Sequence, residues 1–243
     1  MTIKAVIFDL HGTIVEYKVN SKAARAEVIQ FLIGQGIPPS FFSPNESYFE
    51  ALNKLEAYVR DHPMRGKDYR QLKKCVFDIL DKYEMENITS TCLIPGIVET
   101  LQTLKKMGLK LGLLTVNGQK ATDHLLSKFE LSDYFQAVIT RELAPRLKPD
   151  PLHLEAVLKL LKVTPKEAIV VGDSVLDVKV AHALKTLAIG VLGGLASKDE
   201  LVRVGADYMS DTPADLIPII KKLQRMKSHQ QHYRRPAFCS DTC

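Results

Sequence analysis

Side chains able to bind phosphate or a metal ion recur in this chain just beyond runs of apolar residues. The set consists of Asp9, Thr115, Asn117, Lys148, Asp173 and Asp177. A carboxylate can attack phosphorus or ligate a cation, and an ammonium can offset the charge of phosphoryl oxygens. In phosphoryl transfer the nucleophile attacks in line while positive groups neutralise the phosphate. If the fold brings them together, these residue types are suited to phosphoryl transfer.

The apolar runs before these side chains predict buried β-strands. Ala5-Val6-Ile7-Phe8 precedes Asp9 without alternating polar residues, which indicates a strand buried on both faces, and Gly12 then ends it in a turn. Helices separate it from similar predicted strands over residues 109–115, 136–140, 168–173 and 187–192. Such alternation forms parallel strands through right-handed crossovers, so the predicted fold is α/β with a doubly wound parallel sheet. Ligands bind such sheets at the carboxyl ends of the strands.

A helical insertion is predicted between the first strand and the rest of the sheet. Apolar residues at helical spacing predict helices over residues 21–35, 46–60 and 67–86. We therefore predict a core formed by residues 1–15 and 92–226, with an all-helical cap formed by residues 16–91. Residues 227–243 lack apolar periodicity and are predicted to be a disordered tail.

Composition limits the compartment in which the protein acts. Hydrophobic residues make up 46% of the chain, yet no segment approaches the ~20 apolar residues of a membrane span. The N-terminus also lacks a basic region followed by an apolar signal core, so we predict a cytoplasmic protein without membrane contact. The four cysteines lack zinc-site spacing and are expected to be free thiols, with a Cys239–Cys243 disulfide as the alternative.

The net positive charge of the chain comes from its C-terminal segment. Residues 219–243 contain six basic residues and one acidic residue, which accounts for the whole net charge of +5. Because the remaining chain is neutral, nucleic-acid binding is not expected, and any such contact would belong to the tail. We expect the protein to be a monomer or a homodimer that acts on a small phosphorylated metabolite.

Four segments, in this order, resemble the motifs of the haloacid dehalogenase (HAD) superfamily. They are Asp9-Leu10-His11-Gly12-Thr13, Leu114-Thr115-Val116-Asn117, Lys148-Pro149 and Gly172-Asp173-Ser174-Val175-Leu176-Asp177. The resemblance covers about residues 1–225, and the most similar branch is the phosphoglycolate phosphatase-like enzymes, which carry a helical cap after the first motif. It implies a Rossmann-like core and a Mg²⁺-dependent phosphatase acting on phosphoglycolate, another sugar or organic phosphate, or pyrophosphate.

The resemblance also implies a role for each motif residue. Asp9 would be the nucleophile that becomes an aspartyl-phosphate, and Lys148 would bridge Asp9 and the phosphate. Phosphoryl oxygens would be held by Thr115 and Asn117. The ligands of Mg²⁺ would be Asp9, the main-chain carbonyl of His11 and Asp173, with Asp177 bound directly or through water. Oxygen ligands of this kind are those that Mg²⁺ prefers.

His11 departs from the phosphatase pattern. Phosphatases of this superfamily carry a second Asp two residues after the nucleophile, where it protonates the leaving group and then activates water. An imidazole can act as acid and base near neutral pH, so His11 is the candidate for this catalytic role. It is also longer than Asp, and a cation beside Mg²⁺ and Lys148 is disfavoured. The alternative function is therefore a weakly active or inactive phosphate-binding protein.

Overall fold

The protein alternates strands and helices in the order that the sequence predicts. The computed structural model describes residues 2–43, 46–62 and 68–229. The strands are β1 (Ala5–Phe8), β2 (Lys110–Leu114), β3 (Ala137–Ile139), β4 (Ala168–Gly172), β5 (Leu187–Val191) and β6 (Tyr208–Ser210). The α-helices are α1 (Ser21–Gly34), α2 (Tyr48–Asp61), α3 (Tyr69–Glu86), α4 (Ile97–Lys106), α5 (Gln119–Lys128), α6 (Pro151–Leu161), α7 (Val175–Ala183), α8 (Lys198–Arg203) and α9 (Leu216–His229).

The strands form one parallel sheet in the order β3-β2-β1-β4-β5-β6. All four residues of β1 are buried, as expected for a central strand. Ala5 and Ile7 contribute to the hydrophobic cluster on one side of the sheet, and Val6 and Phe8 contribute to the cluster on the other. Helices cover both faces because successive side chains of β1 point to opposite sides. The predicted α/β fold with a doubly wound parallel sheet is confirmed.

The helices α1, α2 and α3 form the predicted insertion after β1, and each begins and ends within two residues of its predicted bounds. Their apolar faces pack together through residues that include Val28, Leu55 and Leu80. The chain leaves and re-enters the core at neighbouring points, since Val15 forms an isolated bridge with Leu93. This arrangement suits a cap on residues 16–91, and the boundaries at residues 15 and 92 remain predictions.

The last part of the chain differs from the prediction in two places. Helix α8 and strand β6 were not predicted, because β6 is only three residues long and two of them are half-buried, which gives no apolar run. Helix α9 continues to His229, although the tail was predicted to begin at Lys227. No Gly or Pro lies between Arg225 and His229 to end the helix. The rest of the predicted tail, including Cys239 and Cys243, lies outside the described residues.

Two further expectations concern the surface of the described chain. None of the helices over residues 2–43, 46–62 and 68–229 is both long and apolar enough to span a bilayer. The remaining cysteines, Cys75 and Cys92, are exposed free thiols, as predicted.

The packing of α6 on β2 leads to a test of the core that supports the site. A Cβ atom on Gly112 of β2 would lie 2.7 Å from Cγ1 of Val157 and 3.1 Å from Cδ1 of Leu161, both on α6. Because Val157 is β-branched and cannot easily turn away, we expect Gly112→Ala to lower the free energy of unfolding by ~1–3 kcal/mol. Urea unfolding measures the change.

Gly34, at the end of α1, offers a matched control for Gly112. A Cβ atom there would meet no other atom within 4 Å. Gly34→Ala should therefore leave the free energy of unfolding unchanged or raise it slightly, since Ala favours the helix. Equal losses in the two variants would contradict the close packing of β2 and α6.

Candidate active site

Three neighbouring strands deliver polar side chains to one edge of the sheet. Asp9 follows β1, Thr115 follows β2 and Asp173 follows β4. The main chain continues the sheet pattern at this edge, because the Asp9 amide donates to the carbonyl of Val171 at 2.9 Å. Since parallel strands end together, the three side chains converge as the sequence predicts.

Lys148 lies at the centre of the converging side chains. It is 2% exposed, and its Nζ is 2.6 Å from Oδ1 of Asp9 and 2.6 Å from Oδ1 of Asp177. Its Nζ also donates to the carbonyl of Leu114 at 3.1 Å. Burial disfavours the ammonium, but the carboxylates of Asp177 and Asp9 outweigh burial and raise the pKa of Lys148. The lysine is therefore held in its charged form.

The carboxylates of Asp9, Asp173 and Asp177 form a buried cluster that fits a divalent cation. One oxygen of each lies within 4.8 Å of the others. Burial raises the pKa of Asp9, Lys148 opposes that rise, and the other two carboxylates add to it. Burial also raises the pKa of Asp173, with a further contribution from Asp177. Three acids around one ammonium leave negative charge in excess, and an oxygen-only donor set is what Mg²⁺ prefers.

The main chain fixes the position of Asp173. The Leu195 amide donates to Oδ2 of Asp173 at 2.6 Å, and the Thr13 hydroxyl donates to Oδ1 at 3.2 Å. Gly12 has a φ of 79°, and a Cβ atom there would clash with the Asp173 carboxylate. The Gly in the first motif is therefore needed both for its backbone conformation and for the close approach of Asp173.

Asp177 has two structural roles at once. Its Oδ2 accepts hydrogen bonds from the Ser174 amide at 3.0 Å and from the Ser174 hydroxyl at 2.6 Å, which forms a capping box at the start of α7. Its other oxygen contacts Lys148. The sequence allowed a helix-terminal acid or a site residue at this position, and the structure combines the two.

The loop after β2 is ordered by its own polar side chains. The Thr115 hydroxyl donates to Oδ1 of Asn117 at 2.9 Å, and the Asn117 amide donates to the Thr115 hydroxyl at 3.1 Å. Gly118 is the N-cap of α5, so this loop leads into a helix N-terminus, which favours negative charge. The loop lies at the same edge as the carboxylate cluster, and the phosphate-binding role of Thr115 and Asn117 remains a prediction.

The His11 imidazole is buried and neutral. Its Nδ1 is 3.2 Å from the carbonyl oxygen of Glu16. Because a carbonyl only accepts, Nδ1 carries the proton and Nε2 carries a lone pair. Burial lowers the pKa of His11 to about 4. Within the described residues, Nε2 has no hydrogen-bond partner.

A cleft opens over these residues between the core and the cap. With open solvent included it contains about 540 Å³ of space, of which about 70 Å³ can hold the centre of a water-sized sphere. The site residues that line it include Asp9, His11, Asn117, Lys148 and Asp173. The cap contributes Phe49 from α2 and Glu84 from α3. Substrate would therefore contact both parts of the chain.

Sequence reasoning missed two supports of this site. His153 was interpreted as an ordinary helix residue, but it is buried, and its Nδ1 accepts a hydrogen bond from the Lys148 amide at 3.1 Å. Arg141 is 0% exposed and forms ion pairs with Glu84 and Asp81 of α3. The available signal was the position of Arg141 two residues after β3, at the same sheet edge as the other site residues.

The chain is similar in sequence to known hydrolases. Residues 6–191 match the family model described as haloacid dehalogenase-like hydrolase. The chain is 27% identical to pyrophosphatase PpaX of Bacillus thuringiensis (strain Al Hakam), with 93% of this chain and 100% of that protein covered. Pyrophosphatase PpaX of Bacillus cereus (strain Q1) is 26% identical over the same shares.

Solved structures share the fold. A HAD-superfamily hydrolase of subfamily IA from Geobacter sulfurreducens is 26% identical with a TM-score of 0.55, and the match covers 90% of this chain and 96% of that one. A hydrolase from Pseudomonas syringae is 24% identical with a TM-score of 0.61, and it covers 90% of this chain and 98% of that one. These findings confirm the resemblance and the hydrolase class that the sequence predicts. The chain belongs to the haloacid dehalogenase-like hydrolase family.

Proposed function

We propose that the protein is a Mg²⁺-dependent phosphatase that hydrolyses small phosphate monoesters through an aspartyl-phosphate on Asp9. The observation that carries this proposal is the contact of one buried ammonium, Lys148, with Asp9 and Asp177 beside the third acid, Asp173. The relatives named pyrophosphatases also support the hydrolysis of a phosphate group. A cytoplasmic monomer or homodimer is part of the same proposal.

In the first step the Asp9 carboxylate attacks phosphorus. A P–O bond to Asp9 forms while the bond to the ester oxygen breaks, and the alcohol leaves as an alkoxide that takes up a proton from water. Lys148 offsets the charge of the phosphoryl oxygens, and Thr115 and Asn117 donate to them. The N-terminus of α5 follows the loop that carries these two residues, but its Gly118 amide already donates to Glu84.

A bound Mg²⁺ would be held by Asp9, the main-chain carbonyl of His11, Asp173 and Asp177. When bound, it supplies positive charge that polarises the phosphoryl group. Because Oδ1 of Asp177 already contacts Lys148 and its Oδ2 accepts from Ser174, Asp177 also keeps the lysine in place.

In the second step water attacks the phosphorus of phospho-Asp9, the P–O bond to Asp9 breaks, and inorganic phosphate is released with the Asp9 carboxylate restored. The lone pair on Nε2 of His11 can accept the proton of that water. The same tautomer has no proton on Nε2 for the alkoxide of the first step. His11 is therefore suited to the role of base and poorly suited to protonating the leaving group.

The nucleophile provides the first test of this mechanism. Asp9→Asn retains the size of the side chain but removes the attacking anion, so phosphate release should fall to background. A colorimetric phosphate assay measures turnover, and thermal unfolding checks the fold. Asp123→Asn, on the exposed face of α5, is the matched control and should retain full activity. Turnover by the folded Asp9 variant would exclude the aspartyl-phosphate.

The metal provides the second test. Excess EDTA should abolish phosphate release, and added Mg²⁺ should restore it, because three acids cannot hold a phosphate without a cation. Ca²⁺ should restore little activity, since it prefers longer bonds and more ligands than Mg²⁺. Full activity in excess chelator would contradict the proposed magnesium site.

The role of His11 provides the third test. A positioned acid or base contributes about 10²–10⁴-fold, so the native enzyme should cleave p-nitrophenyl phosphate much better than alkyl phosphates, whose leaving groups need a proton. His11→Asp should raise kcat on alkyl phosphates by more than on p-nitrophenyl phosphate. His11→Asn, which has no exchangeable carboxyl proton, is the control and should give no such gain.

Steady-state kinetics with both classes of ester decide the question about His11. Unchanged or lower turnover of alkyl phosphates by a folded, Mg²⁺-loaded His11→Asp protein would mean that His11 does not limit this site. Phosphate binding without turnover in the native protein would favour the alternative function, a phosphate-binding protein.

A further inference from the structure

We infer that the cleft selects phosphate esters whose alcohol part carries no second negative charge, and that Glu84 of the cap is the residue that sets this preference. The inference rests on the proposed function, because it concerns the part of the substrate that leaves when Asp9 attacks. It separates esters of neutral alcohols from phosphoglycolate and pyrophosphate, both of which carry a second anionic group.

Glu84 places a negative charge in the wall of the cleft. It lies on α3, is buried and lines the cleft together with the site residues. Both of its oxygens accept hydrogen bonds: Oε2 from the Gly118 amide at 2.8 Å and Oε1 from Arg141 at 2.5 Å. Burial raises the pKa of Glu84, whereas the ion pair with Arg141 and the hydrogen bond from the Gly118 amide oppose that rise and favour the ionised carboxylate.

The position that could bind a second anion is already taken by Glu84. Gly118 is the N-cap of α5, and its amide belongs to the helix end that favours negative charge. Glu84 uses that amide from the cap side. A second phosphate or carboxylate of a substrate would have to displace Glu84 to reach it.

The nearest additional cation is also unavailable to a substrate. Arg141 is 0% exposed and pairs with Glu84 and Asp81, and its Nε is 3.4 Å from Glu142. Its guanidinium packs over the ring of Phe77 at 4.9 Å from the ring centre. The positive charge of Arg141 is therefore balanced by two carboxylates of the cap and by Glu142, the next residue in the chain.

Among the described residues that line the cleft, Lys148 is the only one with a positively charged side chain. Lys148 is committed to Asp9 and Asp177. Apart from Glu84, the lining away from the carboxylate cluster is apolar or uncharged and includes Tyr17, Val19, Phe49, Val116, Leu176 and Leu195. An uncharged alcohol with apolar carbon atoms matches these residues, and the Tyr17 hydroxyl can bond to its polar atoms.

A second anion on the alcohol would approach Glu84, which shares its partner Arg141 with Asp81, and no unpaired cation among the described lining residues would balance it. Like charges brought together in a partly buried site strongly disfavour binding. A neutral alcohol escapes this repulsion and retains the apolar contacts. The preference depends on the lining residues that would contact the alcohol part of the ester. It does not depend on the residues that would bind the phosphoryl group.

Two esters of nearly the same size test the preference. They are 2-hydroxyethyl phosphate, which is neutral beyond its phosphate, and 2-phosphoglycolate, which carries a carboxylate in the same place. We expect kcat/KM for the neutral ester to exceed that for phosphoglycolate by at least about tenfold, a ratio that corresponds to about 1.4 kcal/mol. Pyrophosphate should be cleaved no better than phosphoglycolate.

A matched pair of variants assigns the preference to Glu84. Glu84→Gln removes the charge and retains the shape, and it should raise the relative kcat/KM for phosphoglycolate by at least about fivefold. Asp81→Asn removes the other α3 carboxylate on Arg141, but Asp81 does not line the cleft. The Asp81 variant should leave the ratio of the two esters unchanged, even if it loses stability.

The possible outcomes separate the inference from the proposed function. Cleavage of phosphoglycolate or pyrophosphate as efficient as that of the neutral ester overturns the inference and leaves the phosphatase proposal intact. If the native enzyme prefers the neutral ester but Glu84→Gln leaves the ratio of the two kcat/KM values unchanged, Glu84 does not set the preference. If no ester releases phosphate, the proposed function fails. Calorimetric titration of the same two esters then decides the inference, which is overturned unless the neutral ester binds more tightly.

Discussion

The ammonium group of Lys148 is the charge on which the rest of the site depends. Burying a charged group costs several kcal/mol unless partners compensate, and here the partners come from three places in the chain. Asp9 follows β1, the Leu114 carbonyl ends β2, and Asp177 belongs to α7. A shift of β1 or β2 by one residue would move one of these partners away and leave the charge of Lys148 uncompensated.

The cap contacts the same loops that carry the site residues. The side chain of Asn53 on α2 donates to the Leu147 carbonyl at 2.7 Å and accepts from the Leu147 amide at 3.1 Å, one residue before Lys148. Glu84 binds the Gly118 amide, one residue after Asn117. Each contact joins a cap side chain to the main chain of a core loop. The position of the cap and the shape of the candidate active site are therefore coupled.

The sequence is most informative where function depends on local patterns. Apolar runs ending in Asp9 or Asp173 predict both a strand and the edge to which it delivers a carboxylate, because strand burial and parallel topology follow from simple rules. The roles of Arg141 and Glu84 cannot be predicted in this way. Each is charged and would normally be exposed, and their burial depends on how α3 packs against α5, which no local pattern records.

The strand order has a consequence for how the chain acquires its shape. Strand β1 comes before all the other strands of the described sheet, and its partners lie far along the chain: Ala5 pairs with Lys110 on one side and with Ala168 on the other. Contacts between such distant residues form slowly, whereas the contacts among α1, α2 and α3 are local. We expect the cap helices to assemble while β1 still has an exposed, apolar edge. Until its partners are in place, that edge is open to pairing with another chain.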